Sequence, residues 1–182
     1  MTDAELIERV RSGDTNAFGE LVERHRGAVY RAALAALGNA ADAEDVAQDA
    51  LVLAFRKLNQ FRGDASVKTW MISITWRVAL SRRRRPLWRL RQMISGAEAV
   101  EFPASEWQSP ERQMLTMDFF ESVKRHIRQL SPKLRDALLL TAAGDLTQDE
   151  IAAAVNIPAA TFRGRVREAR MQLKARLRSE GR

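Results

Sequence analysis

Apolar residues recur at three- and four-residue intervals along almost the whole chain, and alternating patterns of the strand type are absent. This periodicity predicts an all-α protein. The pair Gly38-Asn39 predicts the end of a long amphipathic helix, because both residues tolerate the left-handed backbone conformation. Residues 61–66 predict a glycine-containing loop, followed by a helix from about Val67. Serine-proline pairs at 109–110 and 131–132 predict two later helix starts.

The charged residues alternate in blocks along the chain. Lys plus Arg against Asp plus Glu number 7 and 10 in residues 1–60, 9 and 1 in 61–91, 1 and 6 in 92–122, and 13 and 6 in 123–182. The net charge of +7 favours a polyanionic partner, such as nucleic acid or an anionic membrane surface. Two basic blocks separated by an acidic block predict two separate contacts with a polyanion.

The segment 92–109 has weak periodicity, small residues, a proline and no positive charge, which is typical of a flexible linker. We therefore expect two small helical domains, 1–91 and 110–182, joined by that linker. The second domain carries a helix-turn-helix pattern. Thr147 and Glu150 are spaced as a capping box, a short apolar helix follows, "NIP" makes a turn, and a longer basic helix comes next.

That longer helix has an apolar stripe and a basic stripe at the same spacing. We expect the apolar stripe to pack and the basic stripe to face phosphates, and Gly164 to permit close approach. The apolar stripe is Phe162, Val166, Ala169, Leu173 and Leu177. The basic stripe is Arg163, Arg167, Arg170, Lys174 and Arg178.

The stretch "QFRGDASVKTWMISITWRVALSRRRR" joins a loop, an apolar helix with two tryptophans, and four arginines. A narrow polar strip runs along the same helix, with Trp76 beside it. Aromatic rings next to arginines suit single-stranded nucleic acid, because bases stack on rings while cations follow the backbone. The predicted buried face is Val67, Trp70, Met71, Ile74 and Val78, widened by Ile72 and Leu80. The polar strip is Thr69, Ser73, Arg77, Ser81 and Arg84.

The order of these pieces resembles a known family. Residues 42–85 resemble the promoter-recognition and melting domain of the sigma-70 family, through "AEDVAQDALVLAFRKLNQFRG" and "TWMISI" with the terminal arginines. Residues 130–177 resemble its domain for the upstream promoter element, through "LSPKLRDALLL", "LTQDEIAAAVNIP" and "TFRGRVREAR". The particular resemblance is to the two-domain extracytoplasmic-function (ECF) sigma factors, and it covers about four-fifths of the chain.

The resemblance implies a set of partners and a set of contact residues. The partners are promoter DNA, duplex and single-stranded, and core RNA polymerase, through the clamp helices of its largest subunit and the flap of its second-largest. An anti-sigma factor is also expected. The implied polymerase-binding residues are Asp42, Asp45, Gln48, Asp49 and Arg56. The implied minus-10 residues are Phe61, Arg62, Gly63, Asp64, Ala65, Ser66, Lys68, Thr69, Ser73, Trp76, Arg77, Ser81 and Arg84. The implied minus-35 residues are Ala160, Thr161, Arg163, Gly164, Arg167, Arg170 and Lys174.

The chain departs from the family pattern in both DNA-reading helices. Arg77 and Ser81 stand where the family often has Asn and Asp. The family's Gly-Thr-Val is Ala160-Thr161-Phe162, and its Lys-Ser-Arg is Arg163-Gly164-Arg165. The base preference at both elements is therefore left open, and added charge predicts more reliance on phosphate contacts.

Other function classes use less of the sequence. An enzyme is not expected, because His25 and His126 are predicted to be surface residues and no nucleophile-base set, metal site or cofactor motif is apparent. A helix-turn-helix repressor would not need the acidic helix, and a sigma mimic that titrates an anti-sigma factor would not need two basic blocks. The chain has no cysteine, signal pattern or long apolar run, so we expect a cytoplasmic protein without membrane insertion.

Overall fold

The computed structural model describes residues 1–88, 90 and 110–180, except for the side chains of residues 110–118. Every regular element within these residues is helical, which confirms the all-α prediction. The expected linker at 92–109 lies outside the described residues. The boundaries of the two expected domains therefore stay predictions.

The first helical part packs its fourth helix against the second and third. Its elements are α1 (Asp3–Arg11), α2 (Asn16–Leu37), α3 (Ala40–Lys57), a 3₁₀ turn (Leu58–Gln60) and α4 (Val67–Arg84). The predicted turn between α2 and α3 is confirmed: Gly38 has φ 69°, and its amide donates to the Leu34 carbonyl. The Asn39 side chain then accepts a hydrogen bond from the Asp42 amide and caps α3.

Most of the predicted apolar face of α4 is buried. Val67, Met71 and Ile74 pack into one cluster with Leu21 and Leu58. Trp70 and Val78, predicted in the same face, are only partly buried. The Trp70 ring lies at the edge of the 61–66 loop, 5.2 Å from the ring of Phe61.

The second helical part is a helix-turn-helix with two supporting helices. Its elements are α5 (Pro110–Arg128), α6 (Pro132–Ala142), α7 (Gln148–Ala154) and α8 (Ala159–Glu180). The predicted capping box is present at α7, where Thr147 and Glu150 bond reciprocally. Asn156, with φ 57°, turns the chain between α7 and α8. Phe162, Val166 and Ala169 of the predicted apolar stripe are buried.

The two helical parts pack directly against each other. Ile72 and Trp76 of α4 share a core cluster with Leu140, Ile151 and Phe162 of the second part. Nothing in the helical periodicity distinguished this second apolar side of α4 from an ordinary core face. It is the feature of the fold that most affects the candidate site.

Two local predictions need correction. His126 was predicted at the surface and is buried, because α5 packs on the end of α8 and brings its ring to 3.1 Å from Glu180. That prediction was wrong, whereas the His25 ring is partly buried and 2.8 Å from Asp3. Ser131 does stand at the cap position of α6, but its side chain makes no capping hydrogen bond.

The contrast between the two caps is measurable. We expect Thr147→Ala to lower the free energy of unfolding by about 1 kcal/mol, since it removes the acceptor for the Glu150 amide. Ser131→Ala is the matched control, and it should change that free energy by much less. Urea unfolding of the full chain followed by circular dichroism measures both, and equal losses would contradict the assigned role of the box.

The same cap predicts a pH dependence. The pKa of Glu150 lies below its ordinary value. The main cause is the hydrogen bond that its carboxylate accepts from the Thr147 amide, and the bond from the Thr147 hydroxyl adds to it. A lowered folded-state pKa stabilises the fold above the unfolded-state pKa, and this contribution disappears as the pH falls through the folded value. The difference in free energy of unfolding between the parent chain and Thr147→Ala should therefore become smaller as the pH is lowered.

Candidate nucleic-acid and protein interfaces

The loop 61–66 forms one wall of a cavity at the start of α4. Gly63, with φ 81°, turns the loop, and Ser66 caps α4 by accepting from the Thr69 amide at 3.1 Å. The guanidinium of Arg11 donates to the Phe61 carbonyl and ties the loop to α1. The cavity measures about 210 Å³, and the rings of Phe61 and Trp70 line it. An aromatic-walled cavity of this kind can accept a flat apolar ring edge-on or by stacking.

The predicted minus-10 residues divide into exposed and buried groups. The five loop residues after Phe61 are exposed, and so are Arg77, Ser81 and Arg84 of α4. Lys68 and Ser73 are partly buried. Arg77 lies back along the helix, and its Nε donates to the Ser73 carbonyl at 3.1 Å. Thr69 and Trp76 are buried, Trp76 against the second helical part rather than beside the exposed strip.

A mixed acidic and apolar strip runs along α3. Asp45, Gln48 and Asp49 are exposed at its start, and Arg56 is exposed at its end. The sequence analysis missed the two residues between them, Val52 and Phe55, which are 52% and 42% exposed. Their position at helical spacing from Gln48 was the signal that could have shown a shared outer face.

Asp42 lies apart from this strip, inside the fold. Its carboxylate accepts hydrogen bonds from Arg82 at 3.0 Å and from the Trp88 indole at 3.1 Å. Arg82 also donates to Asp45 at 2.9 Å. Burial alone would lower the pKa of Arg82, but its hydrogen bonds to the two carboxylates more than offset this and raise it. Asp42 therefore joins the start of α3 to the end of α4.

The basic stripe of α8 is exposed throughout. All seven predicted minus-35 residues lie at the surface of this helix, as does Arg178. Arg163 is held by Asp149 of α7 at 2.5 Å, which ties the first turn of α8 to the preceding helix. A Cβ built at Gly164 would meet no heavy atom within 4 Å among the described residues. Internal packing therefore does not require this glycine, and space is open for an outside molecule.

Two further properties bear on the chemistry. Among the described residues, no three acidic or histidine side chains are arranged to hold a metal ion. None of the described helices is long and apolar enough to cross a bilayer.

The similarities to known proteins match this arrangement. Residues 21–89 match the family Sigma-70 region 2, and residues 120–173 match Sigma-70, region 4. The chain is 34% identical over 178 residues to the ECF RNA polymerase sigma-E factor of Escherichia coli strain K12, across 93% of this chain and 91% of that protein. This chain belongs to the ECF sigma factors of the sigma-70 family.

Other relatives agree with this assignment. The sigma factor is 34% identical over 177 residues to the RNA polymerase sigma-H factor of Pseudomonas aeruginosa, across 92% of this chain and 90% of that one. The solved structure of CnrH in complex with the cytosolic domain of CnrY has a TM-score of 0.67 and 26% identity, over 97% of both chains. RpoE of Bartonella quintana, solved with the anti-sigma factor NepR, shares the fold at a TM-score of 0.65 and 24% identity, over 88% of this chain and 96% of that one.

Family membership decides between the function classes left open by the sequence. The chain is an RNA polymerase sigma factor and not an enzyme, and it binds RNA polymerase and promoter DNA. A repressor or a decoy for an anti-sigma factor is no longer needed to explain any of its parts.

The buried Asp42 gives a test of how the sigma factor holds α3 to α4. Asp42→Ala should lower the free energy of unfolding by about 2 kcal/mol, because the Trp88 indole loses its acceptor and Arg82 keeps only the carboxylate of Asp45. Asp45→Ala removes the other carboxylate that Arg82 binds. Because the Asp45 side chain is 62% exposed, this change should lower the free energy of unfolding by less than about 1 kcal/mol. Urea denaturation measures both free energies of unfolding. Similar losses in the two variants would contradict the larger role assigned to the buried Asp42.

Proposed function

We propose that this sigma factor uses three separate surfaces, one for polymerase and one for each promoter element. The observation that carries the proposal is their placement. The α3 strip, the aromatic-walled cavity with its exposed α4 margin, and the basic stripe of α8 are formed by different elements, and each has its own chemical character. Each surface therefore has its own expected partner.

The first surface is the α3 strip, and its proposed partner is the clamp helices of the largest polymerase subunit. Exposed Asp45, Gln48, Asp49 and Arg56 support this assignment, and Val52 and Phe55 add apolar area between them. Aromatic and apolar side chains at the centre of a patch with charges around it are typical of protein-protein interfaces. Asp42 is buried and contributes indirectly, because its hydrogen bonds with Arg82 and Trp88 hold the start of α3 in place. The flap of the second-largest subunit is the proposed partner of the second domain.

The second surface is the cavity at loop 61–66 and the neighbouring side of α4. We assign it to the minus-10 element. A base from the displaced strand would enter between the rings of Phe61 and Trp70, while Arg77 and Arg84 approach phosphates. The partial burial of Trp70 supports this role, since its ring is held by packing yet reaches the cavity.

The third surface is the basic stripe of α8, and its proposed target is the minus-35 duplex. Helix-turn-helix proteins place the start of the second helix in the major groove. Ala160, Thr161, Arg163 and Gly164 lie at that start and are exposed. Arg167, Arg170 and Lys174 follow along the same exposed stripe and would contact backbone phosphates.

An anti-sigma factor is a further proposed partner. CnrH was solved with the cytosolic domain of CnrY, and RpoE of Bartonella quintana with the anti-sigma factor NepR. These relatives support an inhibitor that binds this chain too. A cytoplasmic location follows from the need to meet polymerase and DNA.

The proposal is tested by reconstitution. Purified bacterial core polymerase would be mixed with the sigma factor, isolated, and used to transcribe a genomic promoter library. Retention of the factor and new start sites would support the proposal, and alignment of those starts would give both elements. Absence of retention, with a folded sample, would contradict the polymerase assignment.

Charge reversal tests the polymerase surface. Asp45→Arg with Asp49→Arg should weaken association with core polymerase by more than about tenfold, because like charges at an interface are strongly unfavourable. Glu20→Arg with Glu23→Arg on α2 makes the same change of charge at exposed positions and is the control. Affinity measured by fluorescence anisotropy compares them, and equal behaviour would move the interface elsewhere.

Removal of two arginines tests the minus-35 surface. Arg163→Ala with Arg167→Ala should weaken binding to promoter duplex and lower the slope of log K against log salt by about 2, since each phosphate contact contributes about 0.9. Polymerase binding should stay unchanged. Arg125→Ala, an exposed arginine of α5, is the control. Loss of polymerase and duplex binding together would contradict the division into surfaces.

A further inference from the structure

The carbonyl of Phe61 receives a hydrogen bond from outside the two helices that flank its loop. Arg11, the last residue of α1, donates to this oxygen through Nη2, across 50 positions of the chain. The Nη1 of Arg11 donates to the carboxylate of Glu8 at 2.6 Å, and the Arg11 side chain is 32% exposed. The guanidinium is therefore held between its own helix and the loop.

Helix α1 is fixed independently of this contact. Leu6 and Ile7 are buried in the core of the first helical part. Asp3, at the start of the helix, accepts a hydrogen bond from Arg24 of α2 at 3.0 Å. The match to Sigma-70 region 2 begins at residue 21, so α1 lies outside the matched residues. The match to that family therefore assigns no role to Arg11.

Two local hydrogen bonds hold the ends of the loop. The Phe61 amide donates to the Leu58 carbonyl at 3.0 Å, and the Ser66 hydroxyl accepts from the Thr69 amide at 3.1 Å. Residues 62–66 are exposed. The bond from Arg11 adds a long-range anchor at the point where the chain leaves the core and enters the exposed part of the loop.

The bonded carbonyl is placed where it controls the shape of the cavity. It belongs to the peptide group that joins Phe61 to Arg62. Because a peptide group is planar, a donor fixed on its oxygen restricts rotation about the Cα–C bond of Phe61, where ψ is 118°. That rotation sets how residues 62–66 lie relative to the Phe61 ring. The ring and residues 62–65 line the same cavity, opposite Trp70.

A direct contact with a DNA phosphate is the other role that an arginine at this position could have. The geometry favours the first role. One Nη of Arg11 is used by the Phe61 carbonyl and the other by Glu8. The negative charge of Glu8 beside the guanidinium would also repel a phosphate.

We propose that Arg11 is a positioning residue for minus-10 recognition: from α1 it fixes the 61–66 loop and so sets which base the cavity accepts. Arg11 acts through the Phe61 carbonyl and contacts no nucleotide. The inference rests on the proposed minus-10 role of the cavity. Because the cavity receives one base, the effect of Arg11 is confined to one position of the promoter.

Transcription by the reconstituted holoenzyme tests this role. One promoter found in the genomic library would be remade with every single-base change in both elements, and the initial rate of transcription from each would be measured. The ratio of rates between the best and the worst base gives the base discrimination at each position. Phe61→Ala identifies the position that the cavity reads, because it removes one wall of the cavity and should lower discrimination there.

Arg11→Ala should lower the base discrimination at that same position by about tenfold, which corresponds to the loss of one hydrogen bond from a charged donor. The other positions of both elements should keep their ratios. A general loss of folded protein lowers all rates together and leaves every ratio unchanged, so it cannot produce this result. Arg9→Ala is the matched control, because Arg9 lies on the same helix, is 44% exposed and pairs with Asp14. It should leave all ratios unchanged.

The salt dependence of promoter binding separates positioning from a phosphate contact. Arg11→Ala should leave the slope of log K against log salt unchanged, since Arg11 neutralises no phosphate in this proposal. Loss of a phosphate contact would lower that slope by about 0.7 to 0.9. Holoenzyme affinity for the promoter, measured by fluorescence anisotropy at several salt concentrations, gives the slope.

Each outcome bears on the proposal. Unchanged discrimination in Arg11→Ala, at the position that Phe61→Ala identifies, would overturn the positioning role and leave the minus-10 assignment in place. An equal loss in Arg9→Ala, or a lower salt slope in Arg11→Ala, would overturn the positioning role in the same way. If Phe61→Ala lowers discrimination at no position, the minus-10 assignment of the cavity fails and the positioning role fails with it.

Discussion

Burial of α4 on two sides is the constraint on which both helical parts depend. Through Met71 and Ile74 the helix joins the core of the first part, and through Ile72 and Trp76 it joins a core shared with the second. A helix covered in this way keeps only a narrow polar margin in solvent. In this arrangement α4 serves as internal support for both helical parts.

Charged pairs surround this doubly buried helix. Apolar area provides most of the free energy of such a contact, whereas paired charges at its edge mainly fix which orientation is adopted. Arg31 of α2 binds Asp145 and Arg83 of α4 binds Asp136, and both carboxylates belong to the second part. The excess of positive charge in residues 61–91 is therefore partly neutralised within the chain. The alternating charge blocks serve the folded protein as well as its polyanionic partner.

Local patterns were enough to predict the helices, the α2–α3 turn and the capping box, because each depends on residues close in sequence. The partners of exposed or apolar faces were harder to predict. The sequence placed Trp76 beside the polar strip of α4 and did not show that the second part covers it. It did not show that Val52 and Phe55 are exposed, and it placed His126 at the surface although α8 covers it. Family resemblance supplied the function, and the individual site residues stay predictions.

The hydrogen bonds of Arg82 and Trp88 to Asp42 couple the movement of α3 to that of α4. They fasten the first turn of α3 to the last turn of α4, at the point where the arginine run begins. Two helices that are hydrogen-bonded at one end and packed along their length move together as a rigid body. A partner that tilts α3 through its outer strip would carry the arginine end of α4 with it. Binding of one macromolecule to the α3 strip would then change the orientation in which the arginine end of α4 meets a second one.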